Sequence, residues 1–283
     1  MNIAVKKIMK LLPDSAYISL KYFYHFRKLP NLKKPKTFNE KLQWLKIHDR
    51  KPEYTKMVDK YEAKKYIAEN VGEEYVVPNI GVWEKFEDID FESLPEQFVL
   101  KCTHDCGGLV IVKDKSKLDI EAARNKINKS LRRNYFWEGR EWPYKNVKPR
   151  IIAEKYLEDS RTGELPDYKF FCFNGIARAL FIATERSNES EETKFDFYDM
   201  DFNHLPFTNG HPNANVIPAK PETFDKMKEL AEKISKGIPL LRVDFYEVDG
   251  KVYFGELTFS HWSGMIPFKP EEWDRKLGDM IVI

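Results

Sequence analysis

Cysteine is scarce in this chain, net charge is almost absent and no hydrophobic run is long. Each scarcity removes a class of protein. Three cysteines in 283 residues, Cys102, Cys106 and Cys172, are too few and too odd in number for a disulfide framework and fit a reducing compartment. Cys102 and Cys106 flank His104, but a Cys-x-x-x-Cys spacing without a second ligand pair is a weak metal signal, and buried free thiols are the simpler reading. A formal net charge of +2 argues against a dedicated nucleic-acid binder, which needs a strong basic excess to displace counterions. No segment reaches the roughly 18 apolar residues of a membrane span. Met1 to Leu12 mixes lysines with apolar residues, yet runs into Pro13 and Asp14 without a small-residue cleavage site, so no secretory signal is expected. Internal repeats and low-complexity runs are missing too. A cytoplasmic protein is the expectation.

What is present is a large hydrophobic fraction, 42%, beside 33% charged residues, which predicts a sizeable core under a charged surface. Residues 1–72 read as helical. Thr37 and Asn39 offer caps before one helix, and Pro52 can start a second that runs through Met57, Val58, Tyr61 and Ile67 to near Gly72. Residues 73–149 hold two short strands, Phe98 to Lys101 and Leu109 to Lys113, around a glycine-bearing turn, then an amphipathic helix from Ile120 to Leu131 behind Asp119. Residues 150–283 alternate strands with a helix from Pro221 to Lys236. Asn174-Gly175 and Asp249-Gly250 are hairpin signals. Strands and helices in this order predict an α+β architecture.

Three constellations carry chemistry. In the first, Lys101 leaves a buried strand beside Gly107-Gly108, so an ammonium could meet phosphates while backbone N–H groups close over them. It is not a P-loop, because no Gly-Lys-Ser/Thr opens a helix; taken alone, an ordinary strand end and hairpin is the favoured reading. In the second, the apolar strand Ile151-Ile152-Ala153 runs into Glu154-Lys155-Tyr156-Leu157-Glu158-Asp159, which could offer backbone groups to an adenine edge and a carboxylate to ribose. Nearby, Asp167 and Lys169 share a strand face with Phe171, since side chains repeat every second residue. The third pairs Arg242-Val243-Asp244 with Glu256-Leu257-Thr258. Two acids on adjacent strands could share magnesium, with the arginine holding a phosphoryl group. The alternative is a salt-bridged face in which Arg242 neutralises both acids.

Strand parity sharpens the third. A plain two-residue turn at Asp249-Gly250 pairs Val248 with Lys251 and sends Asp244 and Glu256 to opposite faces. For the acids to share a face the ladder must slip by one residue. The expectation is a bulged turn with Gly250 left-handed and Glu247 opposite Lys251.

In their order these segments resemble the ATP-grasp superfamily, and within it the teichuronopeptide-biosynthesis (TupA-like) group. Carrying the resemblance are Phe98-Val99-Leu100-Lys101, Pro149-Arg150-Ile151-Ile152-Ala153-Glu154, Asp167-Tyr168-Lys169-Phe170 with Phe173-Asn174-Gly175, and Gly255-Glu256-Leu257-Thr258. Asn39-Glu40-Lys41 and Asp59-Lys60 also look like that group, so the likeness spans roughly residues 20–283. It implies an ATP-grasp-like fold: a helical N-terminal region (1–72), a small lobe with a glycine lid (73–149) and a large lobe with metal-binding strands (150–283), clasping ATP. By the same resemblance Lys101 is the first phosphate-binding lysine, and Gly107-Gly108 the lid. Glu154, Lys155 and Leu157 form the adenine-side hinge, with Glu158 or Asp159 at the ribose. Lys169 touches phosphate and Arg242 steadies the phosphorylated intermediate. Asp244 and Glu256 bind magnesium, and Thr258 stands where many superfamily members have a metal-binding Asn.

The implied reaction is amide formation through an acyl phosphate, on a cell-surface polysaccharide or nucleotide-sugar precursor, with an amino acid as a possible partner. Two other readings are a sugar phosphotransferase using the same nucleotide site and a glycosyltransferase. The latter rests on Asp199-Met200-Asp201 after a strand, a tripeptide that can hold a nucleotide-sugar metal. Residues 1–28 combine lysines with Tyr22, Phe23, Tyr24 and Phe26. They read either as a helix packed on its own domain or as a peripheral contact with the inner leaflet of the membrane.

Overall fold

The computed structural model describes residues 10–160, 163, 165–185 and 192–283. Four helices open it: α1 (Asp14–Phe26), α2 (Phe38–His48), α3 (Glu53–Val58) and α4 (Glu62–Asn70). Of the two caps the sequence offers, Thr37 closes α2, in a reciprocal box with Glu40, while Asn39 lies inside the helix. The single helix expected from Pro52 to Gly72 is instead two. Asp59 breaks it: its carboxylate accepts from Tyr61 N–H (2.9 Å) and pairs with Arg150 (2.6 Å). That break turns Lys60 toward the loop after Lys101, where its Nζ donates to the Asp105 carbonyl (2.6 Å).

The first sheet has the order β1-β4-β2-β3, formed by β1 (Asn79–Trp83), β2 (Phe98–Cys102), β3 (Leu109–Val112) and β4 (Ile151–Lys155). The sequence grouped Ile151 and its neighbours with the third region, yet β4 pairs with both β1 and β2. The run Ile151-Ile152-Ala153-Glu154-Lys155 carries no signal of which strands it pairs with, so a boundary read at residue 150 does not follow the sheets. Phe98, Leu100, Ile151 and Ala153 bury one face against Ala123 and Ile127 of α5 (Ile120–Leu131), whose first turn Asp119 caps (2.9 Å to Ala122 N). A short helix α6 (Phe136–Gly139) follows α5.

The second sheet has the order β10-β9-β5-β6-β7, all antiparallel, from β5 (Asp167–Phe173), β6 (Ile176–Thr184), β7 (Lys194–Tyr198), β9 (Leu240–Val248) and β10 (Lys251–Thr258). Small β8 (Thr208–Asn209) and β11 (Phe268–Lys269) form a ribbon beside it, and α7 (Phe224–Ile234) and α8 (Glu272–Asp279) complete the fold. Period-two alternation assigns the faces of the main sheet. Tyr168, Phe170, Leu241, Val243 and Phe245 pack against α7, α3 and α4. On the other face Phe171, Phe173 and Leu240 pack against Phe38, Leu42 and Leu45 of α2, with Leu277 of α8. Only the far end of that second face is charged. There Asp167 lies opposite Tyr246, and Lys169 opposite Asp244.

Both expected hairpins form. Asn174 (φ 51°) and Gly175 (φ 83°) join β5 to β6, and Asp249 (φ 50°) and Gly250 (φ 73°) join β9 to β10. Positive φ at both central residues is the turn whose twist matches paired strands. The bulged turn expected at Gly250 is therefore corrected: Val248 pairs with Lys251 in a plain two-residue loop. The slip occurs further along. Phe254 faces Phe245 and Leu257 faces Val243, so Gly255 and Glu256 together oppose Asp244. A bulge at Gly255 does what one at Gly250 would have done, returning Glu256 to the face of Asp244. Glycine is what the position tolerates, because a Cβ there would meet the Asp244 carbonyl at 3.1 Å and the Tyr246 ring at 3.3 Å.

Candidate functional site: a cleft between the two sheets

A cleft of about 270 Å³ opens between the sheets. From the first sheet it takes Val99, Lys101, Leu109, Ile111 and Glu154, and from the second Ala183, Thr184 and Tyr246, with Tyr156, Leu157 and Glu158 at the joint. The walls are mostly apolar. Ile111 is 56% exposed although it sits mid-strand, so this sheet face is an open apolar platform suited to a flat ligand.

Polar groups gather at the inner end. Glu154, 5% exposed, accepts ion pairs from Lys101 (2.6 Å) and from Lys64 of α4 (2.7 Å). Burial alone would raise its carboxyl, but the two ammoniums outweigh that and hold it below the usual carboxylate range. Lys64 also donates to the Val77 carbonyl (2.6 Å) and Asn79 Oδ1 (2.7 Å), so it is fixed from three sides. Lys101 is held by Glu154 and keeps 20% of its side chain exposed.

Along β9 the same face continues at two-residue steps from Tyr246 through Asp244 to Arg242. Arg242 binds Asp244 with two parallel hydrogen bonds, Nε to Oδ1 and Nη2 to Oδ2, both 2.7 Å. Its Nη2 also reaches Glu256 Oε1 (3.1 Å) and Thr258 Oγ1 (2.9 Å). Lys169 bridges Asp244 and Asp167. His261 completes the guanidinium's surroundings: Asn209 Oδ1 accepts from Nε2–H (2.9 Å), which leaves Nδ1 to accept from Arg242 Nη1 (2.9 Å). Burial, then the charges of Arg242 and Lys169, keep this imidazole neutral. Glu256 behaves oppositely. Burial would raise it, but Lys60, Lys169, Arg242 and Lys101 hold it down to about 2. Lys101 belongs to the first sheet, so its charge at Glu256 links the cleft to the charged cluster on β9 and β10.

The residues singled out from sequence now have places. Lys101, Glu154, Lys155, Leu157 and Glu158 line the cleft. Asp159 does not serve it, because its carboxylate accepts from the Asp249 N–H (3.0 Å) and props the β9–β10 turn; the alternative carboxylate, Glu158, faces the cleft beside Lys113. Gly107 and Gly108 do not present their N–H groups outward, since both donate to Asp105 Oδ1 (3.2 Å each), an acid the sequence reading left out. Arg242, Lys169, Asp244, Glu256 and Thr258 do converge. As a two-acid metal site, however, they do not fit in this arrangement. Asp244 has both oxygens bound by Arg242 and Lys169, and the Thr258 hydroxyl accepts from Arg242. Among the described residues no three His, Cys, Asp or Glu side chains form a metal-binding group. Glu256, with a third of its side chain exposed, is the acid that fits a hard cation arriving on phosphate oxygens.

Asp199-Met200-Asp201 has a structural explanation. Asp199 accepts from the N–H groups of Asp201 (3.0 Å) and Asn203 (2.8 Å) and from Asn203 Nδ2 (2.9 Å), a turn that closes β7. Cys102 and Cys172 are buried free thiols, whereas Cys106 is exposed. Sequence reasoning passed over Lys64, Asn209 and His261. Lys60 and Lys64 stand four apart, but Lys60 lies in the break before α4, so helical spacing does not account for their approach. Nothing in the sequence joins Asn209 to His261.

A family model described as TupA-like ATPgrasp matches residues 40–282. A comparison with curated proteins finds no match. Among solved structures, a D-alanine–D-alanine ligase from Bacillus anthracis complexed with ATP is 18% identical over 80% of this chain and 64% of its own, with a TM-score of 0.45. An L-amino acid ligase from Bacillus licheniformis is 14% identical, covering 87% of this chain and 55% of its own, with a TM-score of 0.47. The biotin carboxylase domain of a Hydrogenobacter thermophilus 2-oxoglutarate carboxylase, in complex with MgADP and bicarbonate, is 16% identical over 72% and 40%, with a TM-score of 0.45. The chain spans less than two thirds of the length of each.

Proposed function

This chain belongs to the TupA-like ATP-grasp family, and we propose that it is an ATP- and magnesium-dependent ligase acting on a cell-surface polysaccharide or its precursor. In this reading a substrate carboxylate attacks the γ-phosphorus of ATP and ADP leaves. An amine then attacks the acyl carbon, phosphate departs and an amide remains. A uronic acid or an amino acid supplies the carboxylate, and the reaction runs in the cytoplasm where ATP is available. No described helix is long and apolar enough to cross a membrane.

The observation that carries the reading is a charge field that begins in the cleft at Lys101 and Glu154 and continues beyond it along β9. Lys60, Lys64, Lys101, Lys169 and Arg242 face Glu154, Asp167, Asp244 and Glu256, one cation more than acid. A flat base can lie on Val99 and Ile111 near Leu157, with its phosphates running toward Lys101 and then Arg242. Lys101 can exchange Glu154 for a phosphate oxygen, because Lys64 keeps the carboxylate paired. Arg242, locked between Asp244 and the neutral His261, fixes a positive charge beside the transferring phosphoryl group. Preorganised charge of this kind supplies the larger part of phosphoryl-transfer catalysis. A magnesium ion held by Glu256 and phosphate oxygens would neutralise further phosphoryl charge.

The test is trapping. With ATP, magnesium, a uronic acid or amino acid, and hydroxylamine, a hydroxamate should accumulate together with ADP. Radiolabel moving from the γ-phosphate into a stable sugar phosphate, without hydroxamate, would replace the ligase with a phosphotransferase.

A further inference from the structure

We propose that the outer face of α1, with the basic loop that follows it, docks on an anionic lipid bilayer. This inference stands apart from the ligase reading. Helix α1 has two unlike faces. Tyr17, Ile18 and Tyr22 are buried against the domain, so one side of the helix is part of the fold. Leu20, Phe23 and Tyr24 follow at i, i+3 and i+4 and turn outward, and Arg27 follows as the left-handed cap that ends the helix. Leu20 is 51% exposed, Phe23 47% and Tyr24 69%, and Leu11 and Leu29 at either end are exposed as well. A packed helix has no need of a second apolar stripe.

Within this segment the charge is one-sided, and the acids that meet it from elsewhere include Glu40, Glu138 and Glu271. Residues 10–36 contain Lys10, Lys21, Arg27, Lys28, Lys33, Lys34 and Lys36 against a single acid, Asp14. The whole chain has a net charge of only +2, so the remaining surface is net acidic. Asp14 is drawn inward by Arg50 (2.6 Å) and Arg140 (3.5 Å) and does not cancel the outer charge. Lys28 pairs with Glu271 (2.6 Å), both at least half exposed, a contact worth little in water. Lys33, Lys34 and Lys36 stand exposed in the loop. Cations alone would suit any polyanion, but exposed Leu20, Phe23 and Leu29 beside them suit acyl chains below anionic headgroups. Stable membrane attachment needs two weak signals together, an apolar insertion and a basic patch. This surface carries both.

The experiment is co-sedimentation of the full chain with vesicles of phosphatidylcholine alone or phosphatidylcholine mixed with phosphatidylglycerol. Binding to the mixed vesicles only, weakening as salt shortens the Debye length, is the expected result. Leu20→Ser with Phe23→Ser, and separately Lys33→Gln with Lys34→Gln, should each weaken binding by about tenfold or more while the thermal midpoint stays unchanged. Equal partition onto neutral and anionic vesicles would overturn the proposal, as would no binding or undiminished binding of both variants. So would light scattering in which Leu20→Ser with Phe23→Ser converts a dimer to a monomer, because the occupant would then be a second copy of the chain.

Discussion

Glu154 in the first sheet and Asp244 in the second are both buried carboxylates ringed by cations, but they are held differently. Glu154 is met by two ammoniums on long stems, one of them a fifth exposed. Asp244 is gripped by a planar guanidinium in a two-point contact and by a buried Lys169. A point charge on a flexible stem can change partners, whereas a fork locked by His261 and Asn209 cannot without dismantling its surroundings. The comparison suggests a division of labour: an exchangeable phosphate contact at Lys101 and a prebuilt electrostatic frame at Arg242.

Breaking the frame should have the largest effect. Arg242→Ala leaves Asp244 buried beside Lys169 alone and strips Glu256 of a neutralising partner. Urea unfolding should show a loss of about 3–5 kcal/mol, with ligase turnover abolished. A loss below about 1 kcal/mol would mean that the acids were never organised by the guanidinium. The exchangeable contact should separate binding from stability. Lys101→Ala should weaken ATP by roughly ten- to a hundredfold in calorimetry, the value of a charged hydrogen bond, with little change in urea midpoint because Lys64 still neutralises Glu154. Unchanged affinity would remove Lys101 from the site.

Gly255→Val probes how the second sheet brings its acids together. The added side chain meets the Asp244 carbonyl, so the bulge must open, at a cost of about 1–3 kcal/mol. Magnesium dependence of nucleotide binding should weaken with it, since Glu256 loses its direction; a variant with wild-type stability and binding would show that the bulge is dispensable. The smallest effect is in pH. Glu154 has a lowered folded pKa, so its pairing stabilises the protein above the ordinary carboxylate value of ~4.3 and that stability is lost as pH falls through the folded value. The stability gap between wild type and Glu154→Gln should therefore be widest near neutrality and close on acidification. A gap independent of pH would mean that Glu154 is not the titrating partner.

Much of this site is legible in sequence because strand parity is local. Arg242 with Asp244, Glu256 with Thr258, and Asp167 with Lys169 could each be placed on one strand face before any coordinates, but bringing the first two pairs to a common face required a slip in the ladder. What parity could not supply was the location of the one-residue slip. Two glycines near the hairpin could each host it, and the choice depends on how closely the Asp244 carbonyl approaches Gly255. Nor could it supply long-range partners. Gly107 and Gly108 look like a phosphate loop until Asp105 takes their N–H groups, and Asp159 looks like a ribose contact until the Asp249 turn claims it. The break at Asp59, which aims Lys60 at the cleft, depends on Arg150, 91 residues away.

ATP binding in this cleft can be read from thermal unfolding of the full chain with a non-hydrolysable ATP analogue and magnesium. A ligand of the native state at 100 times its Kd stabilises by about 2.7 kcal/mol. The expected result is a clear rise in Tm with the analogue, larger with magnesium than without, lost in Lys101→Ala and absent with a UDP-sugar. A rise with the UDP-sugar and none with the ATP analogue would contradict it.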